Sequence, residues 1–310
     1  MKLISVIISA YNEENCIVIL SERLKSIFKK KESQYRFEVI LVDNGSIDTT
    51  FEKMVVINKK YPEFKIVQLT RNFTVFGGLT AGLHYAIGDA AITMYADLED
   101  PPELILSFIE KWELGFDNVY GITKGRQGSL IRNINSCLFY SGMNFLSGGL
   151  IPKNVADYRL MDKKVYTTLN NMPEKKRFLR GMVAWMGFNS YGIEYDRMPR
   201  YAGRSKANTL AVLRLAVEAV FSFSYVPIRL ISGLGISLSL ISFVSLIIVF
   251  INYLFFAGPF KGFATLLCSL FLLFGFLFCI LGVLGEYIKM IYEEVKGRPT
   301  FIVNKVVDLE

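Results

Sequence analysis

The chain is 310 residues long, 52% hydrophobic, with a mean hydropathy of +0.35 and a formal net charge of +7, room for one good-sized domain plus a greasier part. A single histidine, His84, excludes catalytic triads and histidine-rich metal sites by counting, and four cysteines without paired spacing suggest neither a disulfide framework nor a zinc centre. The positive balance suits anionic lipid and phosphorylated substrates, while the lack of a basic cluster interleaved with aromatics leaves nucleic acid out as a partner.

Leu3 to Ser9 reads as a buried strand, and Asn12-Glu13-Glu14 then starts a helix whose apolar face uses Ile17, Leu20, Leu24 and Ile27. The apolar run from Leu3 is cut short by Tyr11-Asn12-Glu13-Glu14, too soon for a signal peptide. Phe37 to Val42 is a second strand ending on Asp43-Asn44-Gly45-Ser46, and Asp48 caps a helix through Phe51, Met54, Val55 and Asn58. Lys65 to Leu69 is a third strand, and Gly77-Gly78 opens a helix carrying Leu79, Leu83 and Ile87. With Ala91 to Ala96 as a fourth strand, the alternation implies an α/β fold: an open parallel sheet with helices on both faces. Such sheets bind ligands beyond the carboxyl ends of their strands, which points to Tyr11, Asp43, Arg71 and Asp97.

The fourth strand runs out into Asp97-Leu98-Glu99-Asp100-Pro101-Pro102-Glu103. In extended backbone Asp97 and Glu99 leave on one face and can share a hard cation, so the stretch reads as a metal and diphosphate site. Asp100, before Pro101 and with Glu103 three residues on, fits an N-cap opening a helix through Ile105, Phe108, Ile109 and Trp112. The alternative is that all three acids are solvated loop residues capping that helix.

After a strand at Asn118 to Ile122, residues 124–154 are polar and irregular, suited to a mobile acceptor-side region with Arg126 and Arg132. Asp157 to Asp162 precedes a helix using Val165 and Leu169; Phe178 to Gly192 is rich in aromatic and small residues, and Arg197 to Lys206 is strongly basic. Residues 207–227 carry helical spacing consistent with an interfacial or a soluble core helix.

No charge falls between Arg229 and Lys261, or between Lys261 and Glu286, and each run exceeds the ~20 apolar residues that cross a bilayer core. Spans at 228–256 and 263–289 joined by a short loop at 257–262 form a hairpin with both ends on one side. Arg229, Lys289, Lys296 and Arg298 outnumber the loop's Lys261, which places a catalytic part at 1–206 and a tail at 290–310 in the cytoplasm, and the protein in the inner (plasma) membrane. Phe301-Ile302-Val303 is strand-like and could pair with a neighbouring subunit, the basis for expecting a homo-oligomer.

Ser5 to Glu14, Val42 to Asp48 and Ala96 to Glu103 together resemble glycosyltransferase family 2. Asp157 to Asp162, Arg180-Gly181, Trp185-Met186-Gly187, Arg200 to Lys206, Ser222-Phe223-Ser224, Gly285-Glu286-Tyr287 and Tyr292 to Pro299 narrow the likeness to polyprenyl-phosphate glycosyltransferases. The resemblance implies a GT-A (Rossmann-like) catalytic domain that moves sugar with inversion from a nucleotide sugar, by default UDP-glucose, to polyprenyl (undecaprenyl) phosphate. It implies donor binding by Ser9, Tyr11, Glu13, Asp43, Arg71 and Asp97, with Asp43 on the base. Asp97 and Glu99 would hold a divalent cation, Mg2+ or Mn2+. Arg126, Arg132, Arg200, Ser205 and Lys206 would hold the acceptor phosphate, and Asp157 would join Asp97 as a catalytic acid near the sugar. A lipid-linked-sugar flippase is the implied downstream partner. By residue type, Asp43 could instead shape an Asx turn, Arg200 and Lys206 could be membrane-surface charges, and Asp157 could cap a helix or pair with an arginine. Three departures stand out: Tyr95 replaces the usual aspartate, Glu99 the usual glutamine, and Val75-Phe76 the more polar residues expected after Arg71-Asn72-Phe73. The rival functions are a processive polysaccharide synthase, whose glutamine-x-x-arginine-tryptophan motif is missing here, and a non-catalytic membrane scaffold.

Overall fold

The computed structural model describes residues 1–124, 154–175, 177–199, 201, 226–256 and 262–309. Contacts divide the chain into two units, Met1–Val212 with Gly297–Glu310, and Leu213–Lys296.

Among the described residues the first unit is built on one sheet of eight strands. They are β1 (Lys2–Ala10), β2 (Tyr35–Asp43), β3 (Phe64–Leu69), β4 (Ala90–Tyr95), β5 (Asn118–Thr123), β6 (Val155–Asp162), β7 (Ser190–Tyr195) and β8 (Val303–Val307), in the order β7-β5-β6-β4-β1-β2-β3-β8. The centre, β3-β2-β1-β4, is parallel. Its strands are joined through α1 (Ile17–Lys29), α2 (Thr50–Lys60) and α3 (Thr74–His84).

Helices cover both faces, as the alternation implies, and the period of two in β1 shows how. Ile4, Val6 and Ile8 join one buried cluster with Ile17, Leu20 and Leu24 of α1. Each fully buried leucine there contributes roughly 1.5–3 kcal/mol. Ile7, on the opposite face, meets α3 so closely that a Cβ on Gly82 would lie 2.2 Å from its Cγ2. Ile105, Phe108, Ile109 and Trp112 form the buried face of α4 (Leu104–Glu113), and Phe108 meets the Tyr158 ring edge-on at 4.8 Å.

The sheet is mixed where the sequence implies a parallel one. β6 runs antiparallel to both β4 and β5, and β8 antiparallel to β3. Asp157 to Asp162 forms most of β6, and residues 178–192 hold α6 (Leu179–Trp185) and the start of β7, following α5 (Lys163–Asn171). α1 begins at Ile17, not at Asn12, and α3 ends at His84, leaving Ile87 61% exposed beyond it. Asp48 does serve α2, accepting from the Thr50 N–H at 3.0 Å.

Asp100 does not cap α4. That helix starts after Glu103, whose side chain is drawn off to Arg23 at 2.8 Å, while buried Asp100 accepts from Tyr195 and Arg197. The tail supplies a strand as expected, though it begins at Val303: β8 pairs with β3 of its own chain and forms one edge of the sheet.

The second unit contains α7 (Val226–Phe256) and α8 (Phe263–Val295). Windows at Ile228–Ser245 and Ser269–Val295 have mean hydropathies of 1.7 and 2.2, so both helices are long and apolar enough to cross a membrane. Their large side chains face outward, Phe271 at 71% and Phe278 at 67% exposure, a surface that suits hydrocarbon and not water. Residues 207–225 and 257–261 lie outside the described residues.

Candidate active site

Four loops leave the carboxyl ends of β1, β2, β3 and β4, and each contains left-handed backbone: Asn12 (φ 54°), Gly45 (φ 72°), Thr74 (φ 66°) and Leu98 (φ 59°). For a non-glycine residue this costs about 1–3 kcal/mol, and it persists only where the surroundings enforce it. They do so here. The Asn12 N–H donates to Ser46 Oγ and its side-chain oxygen accepts from Ile47, both at 2.9 Å. Buried Asn44 donates to the Thr74 carbonyl at 2.7 Å and accepts from the Phe73 N–H at 2.9 Å. A Cβ on Gly45 would come within 2.4 Å of the Arg71 backbone. The first three loops are thereby bolted to one another at one edge of the sheet.

This edge holds the residues expected to bind a donor. Asp43, fully buried, accepts from the Ser46 N–H at 2.9 Å through Oδ1 and from Gln68 Nε2 at 3.3 Å through Oδ2. The carboxylate thus helps shape the turn after β2, through a bond to the backbone three residues on. Ser9 lies beneath Gly78 of α3, where any Cβ would fall 2.3 Å from its Oγ. Tyr11 directly follows β1, and the Glu13 N–H donates to Thr50 Oγ1 at 2.9 Å. Arg71 is exposed, its guanidinium 4.0 Å from the centre of the Phe73 ring.

After β4, Asp97 (9% exposed), Glu99 (7%) and Asp100 (1%) are buried, which removes the solvated-loop reading. Left-handed Leu98 breaks the extended backbone assumed for the pair. Instead the turn brings the Glu99 N–H to Asp97 Oδ1 at 3.2 Å. Arg197 bridges Glu99 and Asp100, at 3.1 Å from each. Burial pushes the Asp100 carboxyl up; Arg197 and the Tyr195 hydroxyl pull it back, but Asp97 and Glu99 add to the rise, which wins. The loop is thus short of positive charge. Asp97 and Glu99 offer hard carboxylate oxygens that fit a divalent cation. Among the described residues no three acidic, histidine or cysteine side chains are placed to hold one metal ion, so ligand oxygens would have to complete a shell around two protein ligands.

Asp157 lies across the strand pair from this loop. The Tyr95 hydroxyl donates to its Oδ2 at 2.8 Å, and Arg180 of α6 grips both oxygens, Nε at 2.8 Å and Nη2 at 2.5 Å. Burial alone pushes the Asp157 carboxyl up, but Arg180, with Arg159 and Tyr95 adding, holds it below the usual carboxylate range. Tyr95 itself is pushed well above its ordinary value, first by burial and then by Asp157, so it stays a protonated donor. Arg159, buried beside them, is pushed down to about 10, chiefly by burial, and its Nε finds no partner. The arginine-pairing reading of Asp157 is what the geometry shows.

The structure therefore gathers Ser9, Tyr11, Glu13, Asp43 and Arg71 around β1 to β3, with Asp97, Glu99 and Asp157 around β4 and β6. Arg126, Arg132, Arg200, Ser205 and Lys206 lie outside the described residues. Sequence reading gave no role to Arg180, Arg197 or Gln68. Arg180 belongs to a quoted motif and Arg197 begins the basic stretch, but their acid partners are 23 and 97 or more positions away in the chain. Only folding reveals such pairs.

The glycosyl transferase family 2 model matches residues 5–169. The chain is 36% identical over 304 residues to a bactoprenol glucosyl transferase of Shigella phage SfII, covering 97% of this chain and 97% of the relative. It is 35% identical over 308 residues to an uncharacterized glycosyltransferase of Synechocystis, covering 99% of this chain and 96% of the relative. Among solved structures, glucosyl-3-phosphoglycerate synthase from Mycobacterium tuberculosis, in complex with Mn2+, uridine diphosphate and phosphoglyceric acid, aligns with a TM-score of 0.50. At 18% identity over 71% of this chain and 78% of that one, the likeness is one of fold.

Proposed function

The chain belongs to glycosyltransferase family 2, and from that premise we propose that it moves a sugar from a nucleotide-sugar donor to polyprenyl phosphate at a membrane. One observation carries the acceptor: the match to bactoprenol glucosyl transferase continues far beyond residues 5–169, across both apolar helices and the tail, to 97% of each chain. UDP-glucose is the donor favoured by that relative's name, and undecaprenyl phosphate the lipid.

In this reading Asp43 accepts from the base, and Ser9, Tyr11, Glu13 and Arg71 line the donor side. Asp97 and Glu99 would hold Mg2+ or Mn2+, which when bound neutralises charge on the diphosphate as the nucleotide departs. Asp157, kept ionised by Arg180 and oriented by Tyr95, presents a fixed negative charge toward the sugar. The acceptor needs little help from a base. A phosphate monoester with a second pKa near ~6 is already largely dianionic at neutral pH, so one of its oxygens attacks the anomeric carbon directly. Arg126, Arg132, Arg200, Ser205 and Lys206 would hold that phosphate in line while its tail stays in the bilayer.

The proposal includes both helices spanning the inner membrane with the catalytic unit and tail cytoplasmic, and delivery of the lipid-linked sugar to a flippase. It also includes self-association into a homo-oligomer, for which β8, an edge strand of the sheet, offers a free edge. The deciding experiment supplies purified full-length protein with undecaprenyl phosphate, a series of nucleotide sugars, and Mg2+, Mn2+ or chelator. Lipid-linked sugar formed from one donor supports the reading; polymer without lipid product, or no transfer from any donor, overturns it.

A further inference from the structure

Gln68 links the donor edge to the tail. Its amide nitrogen donates to Asp43 Oδ2 at 3.3 Å, and its amide oxygen accepts from Asn304 Nδ2 at 3.0 Å. The order of these bonds is fixed by chemistry. A carboxylate only accepts, so Gln68 must turn its NH2 group to Asp43 and its oxygen outward, and only a donor on the tail can hold that oxygen.

The backbone is shaped for this contact. Gln68 pairs with Asp43 across β2 and β3, which sets the two side chains abreast on one face. On the other side Gln68 pairs with Lys305 while Leu69 pairs with Val303, so Asn304 is the extra residue of a β-bulge. A bulge re-aims the side chain it carries, and bulges recur at sheet edges beside binding sites. The tail is anchored independently nearby. Asn58 Nδ2 donates to Asp308 at 2.8 Å, and the Thr70 N–H donates to the Ile302 carbonyl at 3.0 Å.

We propose that Asn304 is a positioning residue for the nucleotide: held out by the bulge, it sets the Gln68 amide, which fixes the Asp43 carboxylate for the donor base. The inference rests on the assignment of Asp43 to the base. A segment following the apolar helices thus tunes donor affinity without touching the donor. Asn304→Asp is the sharper change, because a carboxylate cannot donate to Gln68 and competes with Asp43 for its one NH2 group.

The test uses full-length protein in detergent with the nucleotide sugar it turns over. Donor KM and kcat are measured for Asn304→Ala, Asn304→Asp, Gln68→Met and Asp308→Ala, with inhibition by inorganic pyrophosphate as a probe blind to the base. Expected are a donor KM raised about 3–10-fold in Asn304→Ala and more in Asn304→Asp, with kcat within twofold and pyrophosphate inhibition unchanged. Gln68→Met should match Asn304→Ala, and combining the two should add nothing. Asp308→Ala loosens the tail elsewhere and should leave donor KM alone. An unmoved donor KM in the Asn304 variants, or an equal rise in Asp308→Ala, overturns the inference. Asp43→Asn separates it from its premise: if that change leaves donor KM untouched, the base assignment itself has failed.

Discussion

Tyr95 on β4 donates its hydroxyl to Asp157 on β6 at 2.8 Å, an interaction across two antiparallel strands that an aspartate at position 95 could not make with an ionised partner. The unusual residue is therefore built into the site. Tyr95→Phe should lower stability by about 1.5–3 kcal/mol, the usual worth of a hydrogen bond to a charged group, read by denaturant unfolding. The pH at which Asp157 protonates should rise with it. Unchanged stability would show that Arg180 alone satisfies Asp157.

Arg180→Met should cost about 2–4 kcal/mol, somewhat less than a wholly buried pair because the arginine side chain is 28% exposed. The pH dependence gives a sign. A carboxyl held low in the folded state stabilises the wild type above the unfolded value near ~3.9, and that contribution fades as pH falls through the folded value. Without Arg180 burial dominates and pushes Asp157 up, so the variant suffers most at neutral pH. The gap in melting temperature between the two proteins should narrow on acidification; a gap constant with pH contradicts the pairing.

Asp97→Asn should reduce turnover at least 100-fold while leaving expression and melting temperature near wild type, since the change keeps shape and removes one charge from a crowded acid loop. Product formation at saturating donor measures it. Near-normal rates would remove Asp97 from the chemistry.

Lys206→Ala should raise the KM for polyprenyl phosphate several-fold and leave the donor KM within twofold, because a phosphate-holding lysine acts on the acceptor alone. An equal rise in both would place Lys206 elsewhere.

The central sheet was legible in the sequence because β1 to β4 each carry a short, largely apolar run and helical patterns separate them, as burial on both faces demands. Tyr11, Asp43, Arg71 and Asp97 followed from it, since strand ends can be read from where the apolar runs stop. β6 and β7 were not legible. Arg159 and Asp157 make Val155 to Asp162 look polar, and only their mutual neutralisation with Arg180 and Tyr95 lets that strand lie buried. Asp100 misled for a related reason: its spacing to Pro101 and Glu103 obeys the local rule for a helix start, but Tyr195 and Arg197, nearly a hundred residues away, compete for the same carboxylate and win.

Deleting residues 300–310 should lower the melting temperature and produce aggregates visible by light scattering, because it strips the partner from β3 and bares a row of unpaired peptide groups. A truncated protein that stays monodisperse with an unchanged melting temperature would show that β8 protects nothing.

That strand also imposes an order on biogenesis. β8 comes after α7 and α8 in the chain, so a ribosome makes both apolar helices before it makes the strand that completes the sheet. Although β1 to β7 emerge early and can begin to fold during translation, the flank of β3 stays open until the hydrophobic helices have been synthesised. Delivery of the nascent chain to the bilayer and completion of the enzyme are thereby placed in sequence, with the first synthesised before the second can finish.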